Sequence, residues 1–142
     1  MAFKIMLDTN IILDLILQRS NDYLDLRKIY NGIIAGDFRC YTTSIIVQTS
    51  SYWLTKEKGP LQAKQILLAL LNDIDVLEAS HEVVVNALQS NINDIEDAML
   101  YYTAVHHKID TLISRDKNFI KSALPNLPVY HPADFVRKYV NQ

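Results

Sequence analysis

The chain of 142 residues contains one cysteine, Cys40. A lone cysteine forbids an intrachain disulfide, which excludes the small secreted folds that bridges hold together. No apolar stretch approaches the ~18 to 20 residues needed to span a bilayer, and the first apolar run is cut short by Asp8. No membrane association is therefore expected, and a cytoplasmic location follows most simply. Strong net charge is also missing. The formal charge of −2 sets up no general attraction for nucleic acid, so any RNA contact has to be local, and Arg115 to Gln142 holds five basic against two acidic residues. There is no repeat, linker or low-complexity tract. With 49% apolar and 21% charged residues, the composition is that of one globular domain covering residues 1–142.

What is present is organised around Phe3 to Asn10, FKIMLDTN. Phe3 to Leu7 is apolar apart from Lys4, which suits a buried strand of a parallel sheet. Asp8 then stands at the strand's carboxyl end, the edge where ligands and catalytic groups gather in open α/β sheets. A second reading is open at this point: Asp8 or Thr9 N-caps the helix beginning near Ile11.

Further along, helices are expected at about Ile11 to Gln18, Tyr23 to Ala35, Ile45 to Lys56 and Leu61 to Leu71. Others follow at His81 to Gln89, Ile95 to His107 and Pro132 to Val140. Strands are expected at Phe38 to Thr42, Asp73 to Ala79, Asp110 to Ser114 and, shorter, Val129-Tyr130. Gly36 closes one helix, and Gly59-Pro60 separates two others. The alternation gives an α/β fold, a three-layer α/β/α domain with a mostly parallel sheet of four to five strands.

Two carboxylates fall at strand ends, Asp8 and Asp116. A third group comes from NDIED at Asn93 to Asp97, where Asp94 and Asp97 share a helix face. Like charges at that spacing repel by a few tenths of a kcal/mol unless something neutralises them. A divalent cation would do so, although Asp94 as N-cap with Asp97 in the first turn also satisfies the helix without any ligand. Asp97 borders the stripe Ile95, Ala98, Tyr102 and Val105 and so is expected to face the protein, where an unpaired carboxylate is expensive. Carboxylates without histidine or thiolate support select hard cations, Mg²⁺ or Mn²⁺ and not zinc. The four histidines read as structural. Such a cluster suits metal-assisted phosphodiester hydrolysis.

LDTNIILD at Leu7 to Asp14, DIEDAM at Asp94 to Met99 and ISRDKNF at Ile113 to Phe119 resemble, in order and spacing, the three signatures of PIN domains, and HPADF at His131 to Phe135 is similar to the closing segment of many bacterial members. The resemblance implies a metal-dependent endoribonuclease like the VapC-type toxins of toxin–antitoxin pairs, with RNA as substrate, an antitoxin protein as partner and a homodimeric state. It implies that Asp8, Asp97 and Asp116 carry the metal site and catalysis, that Asn10 orients Asp8, and that Asp94 is an additional acid. Arg115, Lys117 and Lys121 are the candidate RNA contacts, against the alternative of solvated loop charge. One departure is evident. Where family members place an acid in the helix after the second strand, this chain has Thr49, with Gln48 beside it, and no acidic residue lies between Asp37 and Glu57. That departure implies weaker cation binding and opens the alternative of a PIN-fold RNA-binding or regulatory module without full catalysis. A phosphatase built on an Asp8 nucleophile fits less well, because Asn10 stands where a second acid is wanted.

Overall fold

The computed structural model describes residues 3–140. Five strands form one parallel sheet in the spatial order β3-β2-β1-β4-β5, with β1 at Phe3–Leu7, β2 at Phe38–Thr43, β3 at Ile74–Leu77, β4 at Thr111–Ile113 and β5 at Val129–Tyr130. Helices α1 (Thr9–Leu17), α2 (Tyr23–Ala35), α3 (Ser44–Lys58), α4 (Pro60–Leu70), α5 (His81–Gln89), α6 (Ile95–His106), α7 (Lys117–Ser122) and α8 (Pro132–Phe135) flank it, and a π-helical turn at Val136–Val140 continues α8. The sheet is thus entirely parallel with five strands, within the range expected from the sequence.

The central position of β1 explains its composition. It pairs with β2 through Ile5 opposite Cys40 and with β4 through Leu7 opposite Ile113, so Ile5, Met6 and Leu7 are buried and a continuous apolar run is required. From β1 the chain builds outward through β2 and β3, then returns to lay β4 on the other side of β1. That reversal is a topological switch point, where a crevice opens outside the carboxyl ends of the strands. The Asp8 amide donates to the Ile113 carbonyl across this seam at 3.3 Å.

Local chemistry sets the helix boundaries. Thr43 and Ser80 cap α3 and α5 by accepting from Ile46 and Val83 amides. At Gly36, φ is +86°, the left-handed conformation that ends a helix and costs glycine least. Gly32 is needed for another reason: a Cβ there would stand 2.6 Å from the Phe38 ring, so α2 could not lie so close to β2. Leu13, Leu54, Ala63 and Leu67 join α1, α3 and α4 in a smaller apolar cluster beside the main core.

Three features differ from expectation. Helix α1 starts at Thr9, because Asp8 caps it. The short helix α7 lacks the apolar periodicity that announces a helix, and it is started by Asp116. The closing helix is α-helical only to Phe135, and its π-helical continuation packs Tyr139 on Phe3 and Phe135, with ring centroids 4.7 and 5.0 Å away. Among the described residues no helix is long and apolar enough to cross a membrane.

Candidate metal centre and adjoining groove

Asp8 leaves β1 in extended conformation, and its Oδ1 accepts the Ile11 amide at 3.1 Å. The cap reading holds, and the cap position lies at the crevice, so the hydrogen bond that starts α1 also fixes the carboxylate there. Asp8 is only 8% exposed. Burial pushes its pKa from 3.8 to about 6; the Ser114 hydroxyl, the Ile11 amide and the Arg115 charge pull it down, and Asp116 pushes it further up.

Asp116 follows β4 and caps α7, its Oδ1 accepting from the amides of Asn118 at 2.9 Å and Phe119 at 3.3 Å. The Ser114 hydroxyl accepts from the Asp116 amide at 3.1 Å, so one buried serine serves both aspartates, the backbone of Asp116 and the carboxylate of Asp8. Asp94 caps α6 by accepting the Asp97 amide at 2.9 Å. Asp97 itself is half-buried, and its pKa is raised to about 7 by burial and then by the charges of Asp94, Asp8, Asp116 and Glu96.

The structure brings Asp8, Asp97 and Asp116 together with Asp94 around one cleft of about 140 Å³, to which Thr9, Asn10, Ile46, Glu96 and Leu100 also contribute. Glu96 was not singled out from the sequence. Thr9 Oγ1 donates to Glu96 Oε1 at 2.7 Å, which turns this glutamate into the cleft. The Asp94-x-Glu96-Asp97 cluster was visible in the sequence, but the partner on α1 was not.

The buried face of α6 also differs from the expected stripe. Ala98, Leu100, Tyr101, Thr103 and Ala104 are buried, whereas Ile95 is 62% exposed. Tyr101 can be buried because its hydroxyl donates to the Leu127 carbonyl at 2.8 Å and accepts the Leu124 amide at 2.7 Å. Asp97, four residues before Tyr101, heads this face instead of bordering it.

Other candidates fall differently. Asn10 lines the cleft, yet the groups that fix Asp8 are the Ile11 amide and Ser114, not Asn10. From α3 it is Ile46 that lines the cleft; Thr49, one turn on, is half-buried and does not, and Gln48 is exposed. Arg115 is not a free RNA contact: its guanidinium pairs with Asp14, which is 2% exposed and also takes Arg19 Nε at 3.0 Å. Lys117 is exposed on α7 outside the cleft. Lys121 lines a second groove, of about 540 Å³, that shares Asp94, Asp97 and Asp116 with the cleft. Of the histidines, His131 caps α8 through Nδ1 and lies 3.5 Å from Asp22, a structural use.

All the charged donors at the cleft are carboxylates, which fits a hard cation. The crowding of charge around Asp97 is the observation that favours one, since none of the described residues lining the cleft is cationic. Among the described residues no three His, Cys, Asp or Glu side chains are already gathered as a ligand set.

Comparison with known proteins gives a consistent picture. The protein named Ribonuclease VapC1 from Aquifex aeolicus is 24% identical over 140 residues, covering 96% of this chain and 95% of its own. The DNA-bound VapBC structure from Salmonella typhimurium aligns with a TM-score of 0.70 at 17% identity, over 92% of this chain and 98% of that one. The Mycobacterium tuberculosis VapC20 structure, described as a Sarcin-Ricin loop cleaving toxin, aligns with a TM-score of 0.67 at 13% identity, over 87% and 98%. These structural likenesses establish the fold. The PIN domain model matches residues 4–118, a span that runs from β1 to the first turn of α7 and takes in every carboxylate of the cleft, and the chain therefore belongs to the PIN domain family.

Proposed function

We propose that the protein is a divalent-cation-dependent endoribonuclease that serves as the toxin of a toxin–antitoxin pair. The observation that carries this reading is the cleft at the β1/β4 switch point, lined by five carboxylates, Asp8, Asp94, Glu96, Asp97 and Asp116, with no basic side chain among the described lining residues. The name of the Aquifex relative and the description of the Mycobacterium toxin support RNA as the substrate. The VapBC complexes among the structural neighbours support an antitoxin protein as partner, and a homodimer is part of the same proposal.

Asp8, Asp97 and Asp116 would hold the cation, Mg²⁺ or Mn²⁺, with Asp94 and Glu96 at the margin. Bound there, the cation supplies an activated water and stabilises charge developing on the phosphate. The chain's own contribution is preorganisation. Asp8 and Asp116 are locked by backbone amides of the helices they cap, and Asp97 is carried on the rigid first turn of α6. The Asp14–Arg115 pair behind them places a fixed positive charge near Asp8. Asn10, exposed at the rim, is free to meet substrate.

A second reading has one observation in its favour. Helix α3 brings Ile46 and not a carboxylate to the cleft, as an RNA-binding or regulatory PIN module without cleavage would allow. Incubating a generic single-stranded RNA with purified protein and Mn²⁺ separates the two. Cleavage that disappears with EDTA and in Asp8→Asn supports the nuclease, as does growth arrest on expression that Asp8→Asn relieves. Cation-independent cleavage, or none, rejects it.

A further inference from the structure

The 540 Å³ groove beside the cleft is acidic only where the two meet. Beyond Asp94, Asp97 and Asp116 its walls are neutral: Asn91 and Asn93 on one side, Asn118 and Ser122 on α7 at the other. Lys121 brings the only positive charge among its described lining residues. The carboxamides of Asn91, Asn93 and Asn118 make no hydrogen bond within the described protein, although the backbone carrying them is fixed. Ser90 Oγ donates to the Ala87 carbonyl at 2.7 Å and accepts the Ile92 amide at 3.3 Å. The Ile92 side chain packs on the main core between the two exposed asparagines. On the facing side, Phe119 is buried next to Asn118, and the Asn118 amide is held by Asp116. Asn91, Asn93 and Asn118 are exposed to solvent, and a rigid backbone that presents their carboxamides to a groove leaves them available to a ligand that displaces water.

The chemistry of the groove selects its occupant. A phosphate chain would be repelled at the acidic end and would find one lysine to offset it. A nucleobase carries no charge, and a carboxamide presents one donor and one acceptor side by side, the pattern that matches a base edge. Base edges are open to such contact in unpaired RNA, whose duplex form hides them in a deep major groove. The volume lies within the roughly 300–1,000 Å³ of small-molecule sites.

Resting on the nuclease reading above, we propose that this groove is the base-reading subsite of the enzyme: an unpaired nucleotide next to the scissile phosphate binds between the Asn91-Asn93 loop and Asn118, with Lys121 on the adjoining phosphate. The preference of the enzyme for sequence at that nucleotide then resides in these asparagines, and the acidic cleft contributes none.

The test uses the full chain, with the three asparagines changed to alanine singly and together, and Lys64→Ala, exposed on α4 and outside the groove, as a control. A pool of unstructured RNA oligonucleotides is cleaved with Mn²⁺ and the cut sites are sequenced. In parallel, binding of a labelled single-stranded RNA is followed by fluorescence anisotropy in an Asp8→Asn background, where cleavage is disabled. We expect the triple variant to lose about tenfold in discrimination at the nucleotide on one side of the cut, the scale of one paired base contact, and to bind RNA more weakly, while Lys64→Ala changes neither. If wild type cleaves, and the triple variant keeps the same preference and affinity, the subsite is overturned and the nuclease reading stands. Cleavage by wild type without any sequence preference overturns it equally. Binding that weakens in the triple variant while wild type cuts nothing retains the groove and sinks the nuclease. Neither binding nor cleavage by wild type overturns both.

Discussion

Thr9 Oγ1 donates to Glu96 Oε1 at 2.7 Å, joining the first turn of α1 to the first turn of α6 across 87 residues of sequence. This contact brings a carboxylate to the cleft from a helix that already supplies Asp97, while α3 supplies none. We expect Glu96→Gln to weaken Mn²⁺ binding severalfold, because affinity for hard cations follows ligand charge, and Thr9→Val to do the same less strongly by releasing the side chain. Calorimetric titration of each variant is the check; unaltered affinity in Glu96→Gln would place this residue outside the site.

The pH dependence of stability in metal-free buffer follows from Asp8 and Asp97. Both folded pKa values lie above the ordinary 3.8, at about 6 and about 7. Their contribution to stability is therefore fully present below about pH 3.8 and is lost as the pH rises through 6 to 7. For buried Asp8 the loss is roughly 3 kcal/mol. Asp8→Asn, which can still cap α1, should remove much of this decline, raising Tm near pH 7 without metal and abolishing Mg²⁺ or Mn²⁺ binding. Thermal melts of both proteins between pH 4 and pH 8 decide it: parallel curves would refute the assignment.

Mn²⁺ should raise Tm more at pH 7.5 than at pH 5, because the ligands must lose their protons to bind. Calorimetric scans with saturating Mn²⁺ and with EDTA at both pH values give the comparison. An equal gain at the two pH values would mean that these carboxylates are not the ligands.

Arg115 and Asp14 form an ion pair of unequal burial, the arginine side chain about one-third exposed and the aspartate almost fully enclosed. Removing the arginine leaves the buried Asp14 with Arg19 alone, whereas removing Asp14 lets Arg115 turn outward. Arg115→Ala should thus destabilise by about 2–4 kcal/mol, near the range for a broken buried pair, and Asp14→Asn by less. Chemical denaturation measures both, and the reverse order would contradict the pairing described.

Thr49 lies one turn beyond Ile46, on the same side of α3. Thr49→Glu reaches further than threonine and should tighten Mn²⁺ binding and raise cleavage, whereas Gln48→Glu, about 100° around the helix and exposed, should change neither. Equal effects from the two substitutions would show that α3 does not address the cleft.

Much of this molecule was legible in the amino-acid sequence because it is written locally. An apolar run broken only by Lys4 marked β1, alternation marked β2, and side-chain caps such as Ser80 and Asp94 announce their helices within three residues, since the hydrogen bond each forms closes over that distance. Alternation of strand and helix then determined the fold class, and the acids at the strand ends pointed to the crevice. The sequence left open which reading of Asp8 applied, and on α6 it marked Ala98, Tyr102 and Val105, which do face the core, but included the exposed Ile95 and missed Tyr101, whose burial rests on a hydroxyl satisfied from a distant loop. Tertiary structure decided what depends on partners remote in the chain. The return of β4 to the side of β1 put Ser114 behind both aspartates, Thr9 drew Glu96 inward, and Asp14 paired with Arg115. Such contacts leave no periodic trace, since each is a meeting of single residues whose separation in sequence carries no information about their separation in space.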